Sequence, residues 1–136
     1  MDRLFLDANV LFSAAYAPDS RLLTLWSLDA AELVTSLLAV EEARRNLAAQ
    51  NPDGLGVLEE LVSRTTVVAS ARTGSVPDGV ELADKDVPIL LAAIDSGCTS
   101  LLTGDKQHFG ALYGQEIGGV LVQTPAQYLR NRRSGR

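Results

Sequence analysis

An α/β domain of three layers, a parallel sheet of about five strands flanked by helices, is the fold class the sequence predicts. Two observations carry it: short apolar runs of strand length recur along the chain, and stretches of helical period separate them. Length is the third, since 136 residues with 46% hydrophobic content and 5 prolines supply one ordinary core. Strands that alternate with helices pair in parallel, because a parallel connection needs a crossover and the crossover is usually a helix.

The elements follow in order. Residues 3–6, RLFL, form a first strand that ends on Asp7, and residues 20–31 carry Leu22, Leu25 and Trp26 at helical spacing. Leu33-Val34-Thr35 is a second strand, followed by a helix over 37–50 whose apolar positions Leu37, Val40, Ala43 and Leu47 define a buried face. Pro52-Asp53-Gly54 reads as a loop, 55–64 as a helix with Leu58, Leu61 and Val62 inside, and Thr66–Ala69 as a third strand. After a loop over Gly74–Gly79 come a helix over 88–96 with Leu91, Ala92 and Ile94, a fourth strand at Leu101-Leu102-Thr103, a short helix, a fifth strand at Val120-Leu121-Val122 and a last helix. One domain therefore covers 1–129, and the basic stretch 130–136, with four arginines and no apolar residue, is expected to fray.

Composition removes several classes of function. No run approaches the ~20 apolar residues that span a bilayer, and no signal peptide is visible, so the reading is cytoplasmic, without a membrane partner. The single cysteine, Cys98, excludes an internal disulfide framework and reads as a buried small hydrophobe, while the single histidine, His108, excludes a His/His metal pair. A net charge of −5 argues against a passive nucleic-acid binder and makes the acidic side chains the first to place.

In an open parallel sheet, ligands bind outside the carboxyl ends of the strands. Asp7 ends the first strand and Asp105 follows Leu101-Leu102-Thr103-Gly104, so both belong at that edge, although an Asp there also caps the next helix. On the 37–50 helix the buried face leaves Glu42 and Asn46 together at i,i+4 spacing, whereas Glu41 has Arg45 as its own i,i+4 partner. Asp86 opens the helix that begins at Val87-Pro88, where the helix dipole favours an acid in any case; Asp84, two residues earlier, is its natural decoy.

LDANVL around Asp7, SLLAVEEARRNL around Glu42, DKDVPILLAAIDSG around Asp86 and LLTGDKQHFGAL around Asp105, with the trailing GVLVQTPAQYL, resemble the PIN-domain nucleases over nearly the whole chain. The likeness is to their small bacterial toxin type (VapC-like). It implies a PIN-like sheet in which Asp7, Glu42, Asp86 and Asp105 are the catalytic acids and hold one or two Mg²⁺ or Mn²⁺ ions. It also implies cleavage of single-stranded RNA and a small antitoxin as partner. Many relatives carry a further acid just beyond the one at Asp105, where this chain has Gln107 and His108.

The chemistry agrees with that set. Phosphodiester hydrolysis needs an activated water and a sink for charge, which metal ions supply, and all-oxygen ligands suit Mg²⁺ or Mn²⁺. Neutralising the four acids moves the net charge from −5 to −1, which no longer opposes RNA. In the family reading Asn9 and Thr103 orient the carboxylates from behind; otherwise they are turn and strand-end hydrogen bonders. Arg44, Arg45, Lys85 and Lys106 flank three of the four acids as phosphate ligands or as plain salt-bridge partners. His108 reads as a surface residue beside Phe109. Leu22, Leu25 and Trp26 suggest a homodimer surface, and the metal-free acidic groove invites a basic side chain from the antitoxin.

The rival enzyme is a haloacid-dehalogenase-like phosphatase, whose nucleophile strand LFLDANV resembles; it wants a second Asp where this chain has Asn9. A receiver module would need a phospho-acceptor Asp ending the middle strand, which is missing. A PIN-like module that binds RNA or protein without catalysis is the third alternative.

Overall fold

β1 (Asp2–Leu6) leads into α1 (Ala8–Tyr16), a 3-10 helix over Arg21–Ser27, β2 (Ala31–Ser36) and α2 (Leu37–Gln50). The computed structural model describes residues 1–17, 20–69 and 75–133. A 3-10 turn at Pro52–Gly54, α3 (Leu55–Ser63), β3 (Thr66–Val68), α4 (Val87–Asp95) and β4 (Ser100–Leu102) continue the chain. It closes with α5 (Lys106–Phe109), a 3-10 turn at Gly110–Leu112, β5 (Glu116–Ile117), β6 (Val120–Gln123) and α6 (Pro125–Arg133).

The strands form one sheet in the order β3-β2-β1-β4-β6-β5, with every neighbour parallel except β5 against β6. Leu4, Phe5, Leu6, Leu101 and Leu102 are fully buried, as continuous apolar strands covered on both faces must be. The sheet thus has six strands where the sequence predicts about five. The extra one, β5, is two residues long and turns back into β6 through Gly118 and Gly119, whose φ values of 57° and 85° suit glycine. Two residues carry no alternation that a periodicity argument can read.

The helix expected over 20–31 is shorter and tighter. Ser20 Oγ accepts from Leu22 N at its start, and β2 begins already at Ala31 because Asp2 and Arg3 of β1 pair with Ala31 and Glu32. Leu25 is 1% exposed, and the Trp26 indole N–H donates inward to Leu61 O at 3.1 Å and Thr65 Oγ1 at 3.0 Å. Of the dimer surface expected from Leu22, Leu25 and Trp26, Leu25 is corrected, because it belongs to the core, while Leu22 and Trp26 are half-buried. Leu37, counted on the buried face of α2, is 53% exposed, while Val40, Ala43 and Leu47 are buried as expected. Leu37 stands in the first turn of α2, at the carboxyl edge of the sheet, and Ala39 is buried there instead.

Of the expected tail, residues 130–133 continue α6 and 134–136 lie outside the described residues. Tyr128 is buried and donates from Oη to Asp2 Oδ2 at 2.6 Å, and Arg132 donates to Tyr128 Oη and to Asp29 O, so the helix is tied to the start of β1. Part of the loop expected at Gly74–Gly79 also falls outside the described residues. Among those described, no helix is long and apolar enough to cross a membrane.

The Pro52–Gly54 turn packs closely against both α1 and α2. A Cβ at Gly54 would lie 2.8 Å from the Ala15 carbonyl oxygen and 3.0 Å from a Leu47 methyl. Gly54→Ala is accordingly expected to cost about 1–3 kcal/mol, the usual range for overpacking against rigid neighbours, read as a lower urea midpoint.

Candidate metal centre

The chain departs from β1 to one side through β2 and β3, and β4 and β6 lie on the other side, so the strand order reverses at β1 and β4. A crevice opens beyond the carboxyl ends of the strands at such a point. Leu6 is in register with Leu102, which brings the next residues, Asp7 and Thr103, out of the sheet together. The Thr35 hydroxyl donates to Leu6 O at 2.8 Å and fastens the end of β1 to β2.

Asp7 caps α1. One carboxylate oxygen accepts from Ala8 N at 2.7 Å, and the other accepts from Thr103 Oγ1 at 2.8 Å and Asn9 Nδ2 at 3.1 Å. Thr103 Oγ1 also accepts from Asn9 Nδ2 and from Asp105 N, and Asn9 Oδ1 accepts from Gly104 N, so one small network locks the two strand ends together. Burial is the main cause of an Asp7 pKa raised to about 6; the Thr103 and Ala8 hydrogen bonds oppose it, and the charges of Glu42 and Asp86 add to it. Carboxylates from two further elements, α2 and the start of α4, thus act on Asp7.

Asp105 caps α5 through Oδ1, which accepts from His108 N at 3.1 Å, while Oδ2 lies 2.5 Å from His108 Nδ1. The same His108 nitrogen is 3.7 Å from Asp86 Oδ2. Asp86 stands at the N-cap of α4 but makes no side-chain cap bond, is 9% exposed, and leaves Oδ2 buried without a hydrogen-bond partner. Capping accounts for the position of Asp7 and Asp105; it does not account for Asp86. Ligand atoms of Asp86, Asp105 and His108 all lie within 4.8 Å of one another.

Of the sequence candidates, Asp7, Asn9, Thr103, Asp86 and Asp105 meet directly or through one intermediary. Glu42 is exposed on α2, close enough for its charge to act on Asp7, whereas Glu41 acts on Arg44. Arg44 is exposed and forms a bidentate pair with Glu59, at 2.9 and 3.0 Å. Arg45, Lys85 and Lys106 are exposed, and so is Asp84.

Two residues belong to the site that sequence reasoning left outside it. His108 is not simply a surface residue beside Phe109, and its i,i+3 spacing from Asp105 was the available signal. The Tyr113 hydroxyl donates to Thr103 O at 3.0 Å, with its pKa raised by burial and then by the Asp105 and Asp7 charges. No periodicity or motif marks Tyr113. A shallow cavity of about 380 Å³ lies at the amino end of the sheet, lined among others by Met1, Trp26, Glu32 and Thr66, and has no part in this cluster.

No family model matches the chain, and no curated protein matches it. Among solved structures it is similar to VapBC2 from Rickettsia felis, determined bound to a DNA fragment from its promoter, with a TM-score of 0.68 and 14% identity over 90% of this chain and 98% of that one. It is also similar to VapC20 from Mycobacterium tuberculosis, described as a sarcin-ricin loop cleaving toxin, with a TM-score of 0.58 and 15% identity over 79% and 94% of the two chains. The likeness is one of fold, and it bears out the three-layer PIN-like architecture that the sequence predicts.

Proposed function

We propose that this chain is a divalent-metal-dependent endoribonuclease that hydrolyses phosphodiester bonds of single-stranded RNA, as the toxin of a toxin-antitoxin pair. The observation that carries the reading is the convergence of Asp7, Asp86 and Asp105 beyond the strand ends, with one buried carboxylate oxygen left unpartnered. Acids gathered this way repel one another, and a shared cation is the direct means of keeping them ionised together. Asp86 and Asp105, with Asp7 and Glu42 around them, would hold Mg²⁺ or Mn²⁺. The ion, when bound, would stabilise charge on the phosphate and its leaving oxygen and favour ionisation of the attacking water.

The chain's own residues have separate tasks. Thr103 and Asn9 fix the direction of the Asp7 carboxylate, and Tyr113 holds the backbone behind it. Exposed Lys85 and Lys106, next to Asp86 and Asp105, would meet the phosphates on either side of the scissile bond, with Arg45 further along α2. The fold shared with a sarcin-ricin loop cleaving toxin and with a VapBC2 complex supports an RNA substrate and a small antitoxin, and the acidic crevice would accept a basic side chain from that partner.

Purified protein is expected to cut single-stranded RNA internally when Mg²⁺ or Mn²⁺ is added and to stop when EDTA is added, as followed on a gel with an end-labelled transcript. Hydrolysis of small phosphate esters through an aspartyl-phosphate on Asp7, with intact RNA, would favour the phosphatase instead.

A further inference from the structure

We infer, on the metal-nuclease reading above, that His108 donates an imidazole nitrogen to the bound ion and thereby gives the centre a preference for Mn²⁺ over Mg²⁺. Three observations meet here. The His108 ring shares a volume with ligand oxygens of Asp86 and Asp105, all within 4.8 Å of one another. Asp86 Oδ2, buried and without a hydrogen-bond partner, faces His108 Nδ1 across 3.7 Å. α5 starts at Asp105, whose Oδ1 accepts from the His108 backbone N–H, so the backbone delivers this ring to the carboxylates whatever the ring itself does.

The distances suit an ion. Two donors held at about 2.1 Å from one metal lie roughly 3–4.2 Å apart, from adjacent to opposite positions. The 3.7 Å between His108 and Asp86 falls inside that range. The 2.5 Å between His108 Nδ1 and Asp105 Oδ2 falls below it, so this contact has to open on binding, which a ring with a 27% exposed side chain at the mouth of the crevice can do. Mg²⁺ keeps to oxygen and water, whereas imidazole suits transition-metal ions, so exchanging an oxygen donor for nitrogen shifts selectivity toward Mn²⁺.

His108 is the only histidine in the chain, and this makes the test clean. Tag-free wild-type protein loaded with Mn²⁺ is expected to show imidazole ¹⁴N modulation in pulsed electron paramagnetic resonance, and His108→Ala is expected to lose it. Calorimetric titration of each metal alone should give about tenfold or more weaker Mn²⁺ binding in His108→Ala, with Mg²⁺ binding changed by less than about threefold. His108→Asp should bring the Mn²⁺-to-Mg²⁺ affinity ratio down as well. If His108 serves only as a cation bridging two carboxylates, its removal strengthens both metals alike, and that result overturns the proposal. Wild-type Mn²⁺ binding without nitrogen modulation also overturns it, yet leaves the nuclease reading standing if RNA is still cut. Nitrogen modulation in a protein that cuts no RNA supports the ligand assignment and removes the nuclease reading alone.

Discussion

Asp86→Asn is expected to lower RNA cleavage by about a thousandfold while leaving the fold intact, and Asp84→Asn, two residues away, to change it by less than about twofold. The charge lost at Asp86 is that of a 9% exposed carboxylate with one oxygen unpartnered, whereas Asp84 is solvated. A ligand that helps hold a Lewis acid is worth several kcal/mol of transition-state charge stabilisation, and about 4 kcal/mol corresponds to a thousandfold in rate. A solvated surface charge is worth a few tenths. The Asp86 side chain makes no cap bond to α4, so asparagine removes no helix cap and the unfolding midpoint should report an intact protein. The Glu42→Gln and Glu41→Gln pair applies the same contrast on α2, where only Glu42 acts on Asp7. Single-turnover cleavage of a labelled RNA by all four variants is the measurement. A fully active Asp86→Asn, or an inactive Asp84→Asn beside it, would sink the site assignment.

The acids that lie on this site were legible because they end or begin regular elements. Asp7 and Asp105 follow continuous apolar strands, and Pro88 marks the start of the helix that Asp86 opens, so the topology alone sends them to one edge. Three of the regular helices were equally legible: α2 occupies the 37–50 span that its periodicity predicts, and α3 and α4 differ from expectation by a residue or so, whereas α1, over Ala8–Tyr16, was assigned to no span. What escaped depends on contacts between distant segments. β5 exists because β6 offers it an edge, Leu25 is inside because the 3-10 helix folds under α1, and Arg44 is spent on Glu59 of the next helix. Tyr113 enters the site through a backbone carbonyl, a partner no side-chain pattern can announce. His108 sits between these cases, since its spacing from Asp105 was visible but its approach to Asp86 is tertiary.

Metal-free protein is expected to lose stability as pH rises from about 4 to about 6, with Asp7→Asn free of that loss. Asp7 has a pKa of about 6 in the folded chain against an ordinary 3.8, chiefly through burial, so between those values the native state holds a proton that the unfolded state has released. The slope of unfolding free energy with pH follows protons bound in the unfolded state minus those in the native state, and here it is negative. The stabilisation is full below pH 3.8 and gone above about 6, a change on the order of 3 kcal/mol. Asparagine at position 7 can still accept from Ala8 N and cap α1, while its amide faces the Asn9 donor; that mismatch is a cost that does not titrate. The readout is therefore the difference in unfolding free energy between variant and wild type, which should move in favour of the variant by about 3 kcal/mol from pH 4 to pH 7 in metal-free urea titrations. A divalent ion favours the ionised carboxylate, so Mn²⁺ added at pH 7 should offset the wild-type loss, and it should stabilise Asp7→Asn, which keeps Asp86, Asp105 and His108, by less. A variant-to-wild-type difference that stays flat with pH would mean that Asp7 is ionised throughout, and the crowded acidic centre would then lose its main electrostatic support.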